Sequence, residues 1–569
     1  MPPRQAHRKS TGAGLSRREI VAAVAAAPLA ATAAPGGGDA AFDPPNRAAG
    51  PLRTNPAAVE TTAGKLRGYE SGGVAIYKGV PYADPPVGDF RFARAPALTP
   101  WTGIRRALNY GPICPVIRED SRDRAHDVFR FLAPNGQPSD AMEDCLRLNI
   151  WAPIARETRR PVMVWLHPGG FRRGSSQEFL SCDGENLARR RNVVVVSLNH
   201  RIDALGYTDF YTDMGESFSE SPAAGILDLV DALKWLRANI ERFGGDADNI
   251  TLFGQSGGGY KISVLLAMPE ASGLFHRAVI QSGARLEVHD QETASRLTRE
   301  ILRVLDLPPA AGSVRRLREL PVAEFLRAAK AASDAVRVQE IEPSRWAGRS
   351  WRYQPTAGTP FLPHQPGSTA AMSEAANIPL ICGSTRNEIS PSGNNPHLEE
   401  LSWSGLKEQL EPELHGRTDA AIEAARKTDA EWRPVDVLSV LLTRRFRLSA
   451  VEYCNRASAA RNRRVFNYLF DWRTDLFDGR PRAYHTSDIA FVFANTERVA
   501  EQTGGGERPR SLSELMTRYW SQFAAGGDPN APGLPDWPQY GAATRPTMIF
   551  DDVSGVRNNP DAEIVDLFL

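Results

Sequence analysis

The stretch Ile250-Thr251-Leu252-Phe253-Gly254-Gln255-Ser256-Gly257-Gly258-Gly259-Tyr260-Lys261 decides the fold. Four β-prone residues run into a glycine-rich turn, and a segment of helical character then reaches Met268. The serine stands in a G-x-S-x-G pattern. Strand, sharp turn and helix are the context in which that pattern carries meaning. The turn forces unusual backbone angles on the serine, the flanking glycines avoid clashes, and the hydroxyl is lifted to the open end of a sheet. The helix that follows turns its first amides toward the site, which favours negative charge there. Ser256 is therefore a candidate nucleophile.

Working outward, residues 161–166, 192–198, 278–280 and 378–381 are continuous apolar runs. Runs of Val, Ile and Leu without alternation are what strands buried on both faces look like. Between them, residues 225–243 place Ile226, Leu229, Val230, Leu233, Leu236 and Ile240 on one helical face. Alternating strands and helices of this kind predict an α/β fold with a large, mainly parallel sheet covered on both sides. Residues 65–83 alternate short β-prone runs with Gly turns and predict a small antiparallel sheet at the N-terminal end. Residues 285–350 and 400–465 are charge-rich and helical in pattern, and read as insertions packed over the sheet.

A second glycine element ends the first buried run: Val164-Trp165-Leu166-His167-Pro168-Gly169-Gly170-Phe171. Acyl transfer builds an alkoxide in a tetrahedral intermediate, and that charge needs preorganised N–H donors. Gly169 and Gly170 can bring bare amides close to such an oxygen, and Gly257 can supply a third. Pro168 has no N–H and cannot donate. A serine nucleophile also needs a base. Spacing alone does not select it among the ten histidines; His167 adjoins the glycine loop and is a structural candidate.

These residues resemble the type-B carboxylesterases of the α/β-hydrolase fold over residues 59–561. The matching anchors are Tyr77-Lys78-Gly79-Val80-Pro81-Tyr82-Ala83, Glu143-Asp144-Cys145-Leu146-Arg147-Leu148-Asn149 and the stretch at His167. Further matches are Asn239-Ile240 with Phe243-Gly244-Gly245-Asp246, Phe275-His276-Arg277-Ala278, Gly527-Asp528-Pro529-Asn530 and Trp537-Pro538. The resemblance implies a triad in the chain order Ser, acid, His. Its acid falls in Gly383-Ser384-Thr385-Arg386-Asn387-Glu388-Ile389, so Glu388 takes that role. Its base falls in His485-Thr486-Ser487-Asp488-Ile489, so His485 takes the other. The family's serine in a Q-S-G turn matches Gln281-Ser282-Gly283, with Ser282 supporting the triad from behind. The family's first cysteine pair matches Cys114 and Cys145, which implies a disulfide between them. Cys182, Cys382 and Cys454 read as buried apolar residues.

The departures narrow the expected substrate. Gln255 precedes the nucleophile where cholinesterases carry Glu, so an anion that would favour cationic substrates is missing. No Trp lies between Cys114 and Cys145, so a choline-binding indole is not available there. Uncharged carboxylic esters are the expected substrates. Gly257 stands where the family commonly has Ala, an exchange that should be harmless to a backbone donor. Asn387 and Ile389 replace the family's Asp and Gly beside the acid. Lys261, early in the post-elbow helix, has no role that the motif assigns.

Composition bounds the rest. The chain has 569 residues, 42% hydrophobic and 24% charged, enough to bury a large core. Net charge is +1, from 68 Lys plus Arg against 67 Asp plus Glu, which gives no basis for a nucleic-acid partner. No metal or organic cofactor is implied, and the motifs do not specify an oligomeric state. Ser16-Arg17-Arg18 before an Ala/Val-rich stretch reads as a twin-arginine (Tat) export signal over residues 1–34, followed by a leader at 35–55 and one catalytic domain at 56–569. That stretch is too short for an ordinary membrane span, so a secreted or periplasmic enzyme without stable membrane insertion is expected. A non-catalytic binding homologue would lack triad residues, and Ser256, Glu388 and His485 are all present. A lipase or amidase would keep the chemistry and change the substrate.

Overall fold

Runs that are apolar at every position cannot face water on either side, and they form the middle of one sheet. The computed structural model describes residues 56–117, 140–154, 159–338, 353–460 and 463–569. The central strands are β7 (Arg160–Leu166), β8 (Val194–Leu198), β9 (Gly245–Gln255), β10 (Arg277–Gln281), β11 (Leu380–Thr385), β12 (Val465–Phe470) and β13 (Pro546–Phe550). They run parallel, side by side, in the order β8-β7-β9-β10-β11-β12-β13. Antiparallel β6 (Arg147–Pro153), β4 (Val74–Pro81) and β3 (Tyr69–Ser71) extend the β8 edge, and β14 (Gly555–Asn558) extends the other. Every residue of β8, β11, β12 and β13 is buried.

The helix expected at 225–243 spans Ala224–Asn239 and tightens into a 3-10 turn, Ile240–Phe243, before Gly244 ends it with a left-handed backbone. The residues assigned to its apolar face are all buried. The two expected insertions carry the helices Gln291–Val304, Ala311–Glu319 and Val322–Val338, then Trp403–Leu414, Thr418–Thr428 and Pro434–Ala459. The N-terminal sheet differs in detail from the expectation. Only β1 (Val59–Glu60) and β2 (Lys65–Arg67) pair antiparallel; β2 also pairs parallel with the distant β5 (Ile104–Arg106). Tyr69 onward leaves that sheet and joins the edge of the large one.

The disulfide expected between Cys114 and Cys145 is not formed; all five cysteines are free and buried. The two thiols are in contact, and the Cys114 thiol followed by burial pushes Cys145 well above the ordinary thiol range. Cys114 Sγ also accepts the Ile202 amide at 3.4 Å. Both residues lie in the main apolar core, where protonated thiols pack as small hydrophobes. Cys382 and Cys454 form a second buried pair of neighbouring thiols.

The expected export signal and leader, residues 1–55, lie outside the described residues, as do most of the residues between Cys114 and Cys145. No helix among the described residues is long and apolar enough to cross a membrane.

One ion pair ties the end of β8 to the helix beneath it. Arg201 and Asp228 are 2% and 0% exposed and meet through two parallel bonds, 2.6 and 2.8 Å long. Asp228 also accepts the Arg201 amide at 3.0 Å. Removing one partner strands a buried charge. Asp228→Ala should destabilise the fold by about 3–5 kcal/mol, read as a lower urea midpoint. An unchanged midpoint would show that the pair carries no such weight.

Candidate active site

Strand β9 ends at Gln255 and the helix Gly257–Leu265 begins two residues later. Ser256, between them, is held at φ +53° and ψ −118°. Its amide donates to Gln281 O at 2.7 Å, which fastens the turn to the end of β10. Close backbone approach explains the glycines. A Cβ at Gly258 would lie 1.9 Å from Leu166 O, and one at Gly283 would lie 2.2 Å from Ser256 O. The helix thus presses directly against the end of β7 and against the turn after β10.

The loop after β7 folds back over itself. The Arg172 and Arg173 amides donate to Gly169 O at 3.3 and 3.1 Å. Nδ1 of His167 lies 2.8 Å from Pro168 O, so it carries the proton and donates. In a trans peptide the N–H points opposite the C=O. Tying the Pro168 and Gly169 carbonyls on one side therefore turns the Gly169 and Gly170 amides to the other. Gly170 meets the elbow at Gly257: a Cβ there would stand 2.2 Å from Gly170 N and O. Glycine at 257 leaves the backbone donor in place, as expected, and a Cβ there would require the Gly170 segment to shift.

Glu388 and His485 meet as the sequence pattern expects. The His485 ring donates through Nδ1 to Glu388 Oε2 in a short contact, and the His485 amide donates to Glu388 O at 3.2 Å. Glu388 is 4% exposed, and its Oε1 accepts the Thr385 amide at 3.1 Å. With Nδ1 protonated toward Glu388, Nε2 carries the lone pair that a base needs. Ser256 and His485 are not joined by a hydrogen bond in this conformation. Catalytic hydrogen bonds of substrate-free sites often tighten only when substrate binds. The Gln255 amide nitrogen lies 3.3 Å from both ring nitrogens, so it packs against the ring instead of bonding one atom end-on.

Ser282 lies behind Glu388. Its Oγ accepts the same Thr385 amide at 3.2 Å, and its own amide donates to Gly383 O at 2.8 Å. Several neighbours were not read from sequence. Asp488 is fully buried and accepts from Gln281 Nε2 at 2.9 Å and Tyr468 OH at 2.8 Å. Burial pushes its carboxyl up to about 6. Asp488 was inside the histidine motif and could have been singled out; Phe446, whose ring lies 5.1 Å from that of His485, left no signal. Lys261 is fully buried under the glycine loop and donates to His167 O at 2.9 Å.

The carboxylesterase family model matches residues 55–568. The para-nitrobenzyl esterase of Bacillus subtilis is 33% identical over 89% of this chain and 97% of its own length. The phenmedipham hydrolase of Pseudarthrobacter oxydans is 30% identical over 87% of this chain and 95% of its own. Among solved structures, an esterase from Clostridium hathewayi superposes with a TM-score of 0.75 at 35% identity, covering 91% of this chain and 98% of that one. A carboxylesterase of Geobacillus stearothermophilus gives a TM-score of 0.73 at 31% identity, covering 91% and 100%. A parallel sheet with a strained serine elbow, a Glu–His contact and family similarity across nearly every described residue converge: the chain belongs to the carboxylesterase family and is a carboxylic ester hydrolase.

Proposed function

We propose that this enzyme is an exported serine carboxylesterase that cleaves uncharged carboxylic esters through an acyl-enzyme. The observation that carries the reading is the contact of His485 Nδ1 with Glu388, with the His485 ring packed on Gln255, the residue before Ser256 in its strained turn. Ser256 Oγ attacks the ester carbonyl while His485 Nε2 takes its proton. The alkoxide of the tetrahedral intermediate accepts from the Gly169, Gly170 and Gly257 amides. Collapse expels the alcohol, protonated by His485, and leaves Ser256 acylated. Water, deprotonated by His485, then attacks the acyl group and releases the acid. Glu388 holds the imidazole tautomer and stabilises its cation. Ser282 holds the Thr385 amide that also binds Glu388.

Neutral substrates are favoured because a buried amide, Gln255, stands against His485 where a carboxylate would attract cations. The relatives are named for para-nitrobenzyl esters and phenmedipham, and the Clostridium enzyme is described as hydrolysing aliphatic aromatic polyesters; these support uncharged acyl compounds. The catalytic domain spans 56–569, with residues 1–34 as a twin-arginine signal and 35–55 as a leader, which puts the mature enzyme in the periplasm or outside the cell.

A series of p-nitrophenyl esters of increasing acyl length tests the substrate. Short to medium chains should be preferred, and a sharp rise above the micelle concentration would instead identify a lipase. Ser256→Ala should lower kcat by about 10⁵–10⁶-fold, and undiminished turnover would refute the assignment. Glu388→Gln should keep the fold by circular dichroism and lower kcat by about 10³–10⁴-fold. A loss below about tenfold would move the acid role elsewhere.

A further inference from the structure

We propose that Lys261 is a positioning residue for the oxyanion loop: its ammonium, buried behind Ser256, holds the His167 carbonyl and thereby fixes where the Gly169 and Gly170 amides point. The inference rests on the oxyanion reading above and adds what keeps those donors in place.

Lys261 lies on the helix Gly257–Leu265 with no exposed surface. No carboxylate among the described residues closes an ion pair with it. Its surroundings are His167 O at 2.9 Å, His167 Nδ1 at 3.5 Å and a second imidazole, His200, stacked on His167 with ring centres 5.3 Å apart. The ring nitrogens of His200 approach the backbone of Arg201 and Gly225 without hydrogen-bond geometry. Glu178 is the acidic group whose charge acts on Lys261. Beyond His200, Arg201 is locked onto Asp228. A buried cation with one backbone acceptor is a poor device for stability, because an apolar side chain of that volume would avoid the desolvation cost. Its placement under the glycine loop is what distinguishes it.

The carbonyls of His167, Pro168 and Gly169 are consecutive, and each is tied by a different group. Lys261 holds the first, the His167 ring the second, and the Arg172 and Arg173 amides the third. Lys261 Nζ also lies 3.5 Å from His167 Nδ1, but that nitrogen already donates to Pro168 O, so the hold on the loop runs through the His167 carbonyl. Losing Lys261 frees the start of the loop, the backbone from which that imidazole extends. Charge strengthens the hold, because a hydrogen bond from an ammonium is about twice as strong as one from a neutral donor. Burial lowers Lys261 to about 7, and burial followed by the Lys261 charge lowers both histidines well below their ordinary range. The cluster therefore carries its positive charge on Lys261, below about pH 7, and loses it as pH rises. A negative charge forming on the substrate oxygen favours the charged form.

The test compares wild type with Lys261→Met, using a p-nitrophenyl ester and an alkyl trifluoromethyl ketone. Ser256 Oγ adds to the ketone carbonyl, its proton passes to His485, and the resulting hemiketal oxyanion occupies the donors. Lys261→Met should lower kcat by about tenfold or more, short of the 10²–10³ typical of a deleted donor, with KM within about threefold. Ketone affinity should fall by a similar factor. A lower melting temperature with kcat and ketone affinity unchanged would overturn the proposal. Should Lys261→Met fail to fold, wild type alone decides. Its ketone affinity should weaken about threefold or more as pH rises through about 7, the range in which Lys261 loses its charge. A flat profile there would overturn the proposal. Should wild type form no ketone adduct and turn over no ester, the esterase mechanism itself falls, an outcome distinct from either.

Discussion

Ser256 holds a backbone conformation that L-residues avoid, at a cost of about 1–3 kcal/mol. Nothing local to the tripeptide would keep it there. The strain persists because the backbones of three separate segments converge on it at distances that exclude side chains. The ends of β7 and β10 and the first turn of the following helix are in mutual contact through Leu166, Ser256, Gly258 and Gly283. The register of the parallel strands sets this meeting point. β7 pairs with β9 up to Leu166 and Gly254, and β9 pairs with β10 up to Gln255 and Gln281. The hydroxyl is therefore presented by the whole middle of the sheet.

Glu388 and His485 are positioned by the same logic one strand further on. β11 ends at Thr385, and its last amide reaches both Glu388 and Ser282. Ser282 lies in the turn after β10 and itself has a positive φ. Elbow and acid turn are thus coupled through one residue, which gives the Q-S-G turn a mechanical reason beyond its motif. Asp488 completes the frame: it draws Gln281 and Tyr468 together and so joins the histidine segment to β10 and β12.

The parallel core strands were legible because residues buried on both faces leave no periodicity to confuse with anything else. The amphipathic helix over Ala224–Asn239 was equally plain. Strands β12 and β13 were not, since Val465–Phe470 mixes Asn467 and aromatics in a run that also suits a buried helix. Polar Asn467 is affordable there only because it bonds Cys382 O and Arg447, contacts far away in sequence. The small N-terminal sheet was legible, but not its third strand, Ile104–Arg106, which is remote in sequence and wholly exposed. At the site, Ser256 followed from local pattern, whereas Glu388 and His485 required family resemblance. A triad is a spatial arrangement, and no spacing rule links residues 256, 388 and 485. The two cysteines that the resemblance pairs do lie side by side, as neighbouring buried thiols without a bond between them.

The charges around Ser256 are arranged asymmetrically. The preceding residue is the neutral, buried Gln255, packed against the His485 ring, whereas Lys261 lies buried under the glycine loop. A carboxylate at the first position would stabilise cationic ground states. An ammonium at the second can stabilise only negative charge that appears on the loop side during reaction. Lys261 is also shielded from bulk water, where its field would otherwise be screened. Such an arrangement discriminates between the transition state and the ground state, which is the kind of interaction that raises kcat and leaves KM nearly unchanged. On the proposed mechanism, neutrality at residue 255 and charge at residue 261 are two parts of one preference, for an uncharged ester that becomes an anion in the site.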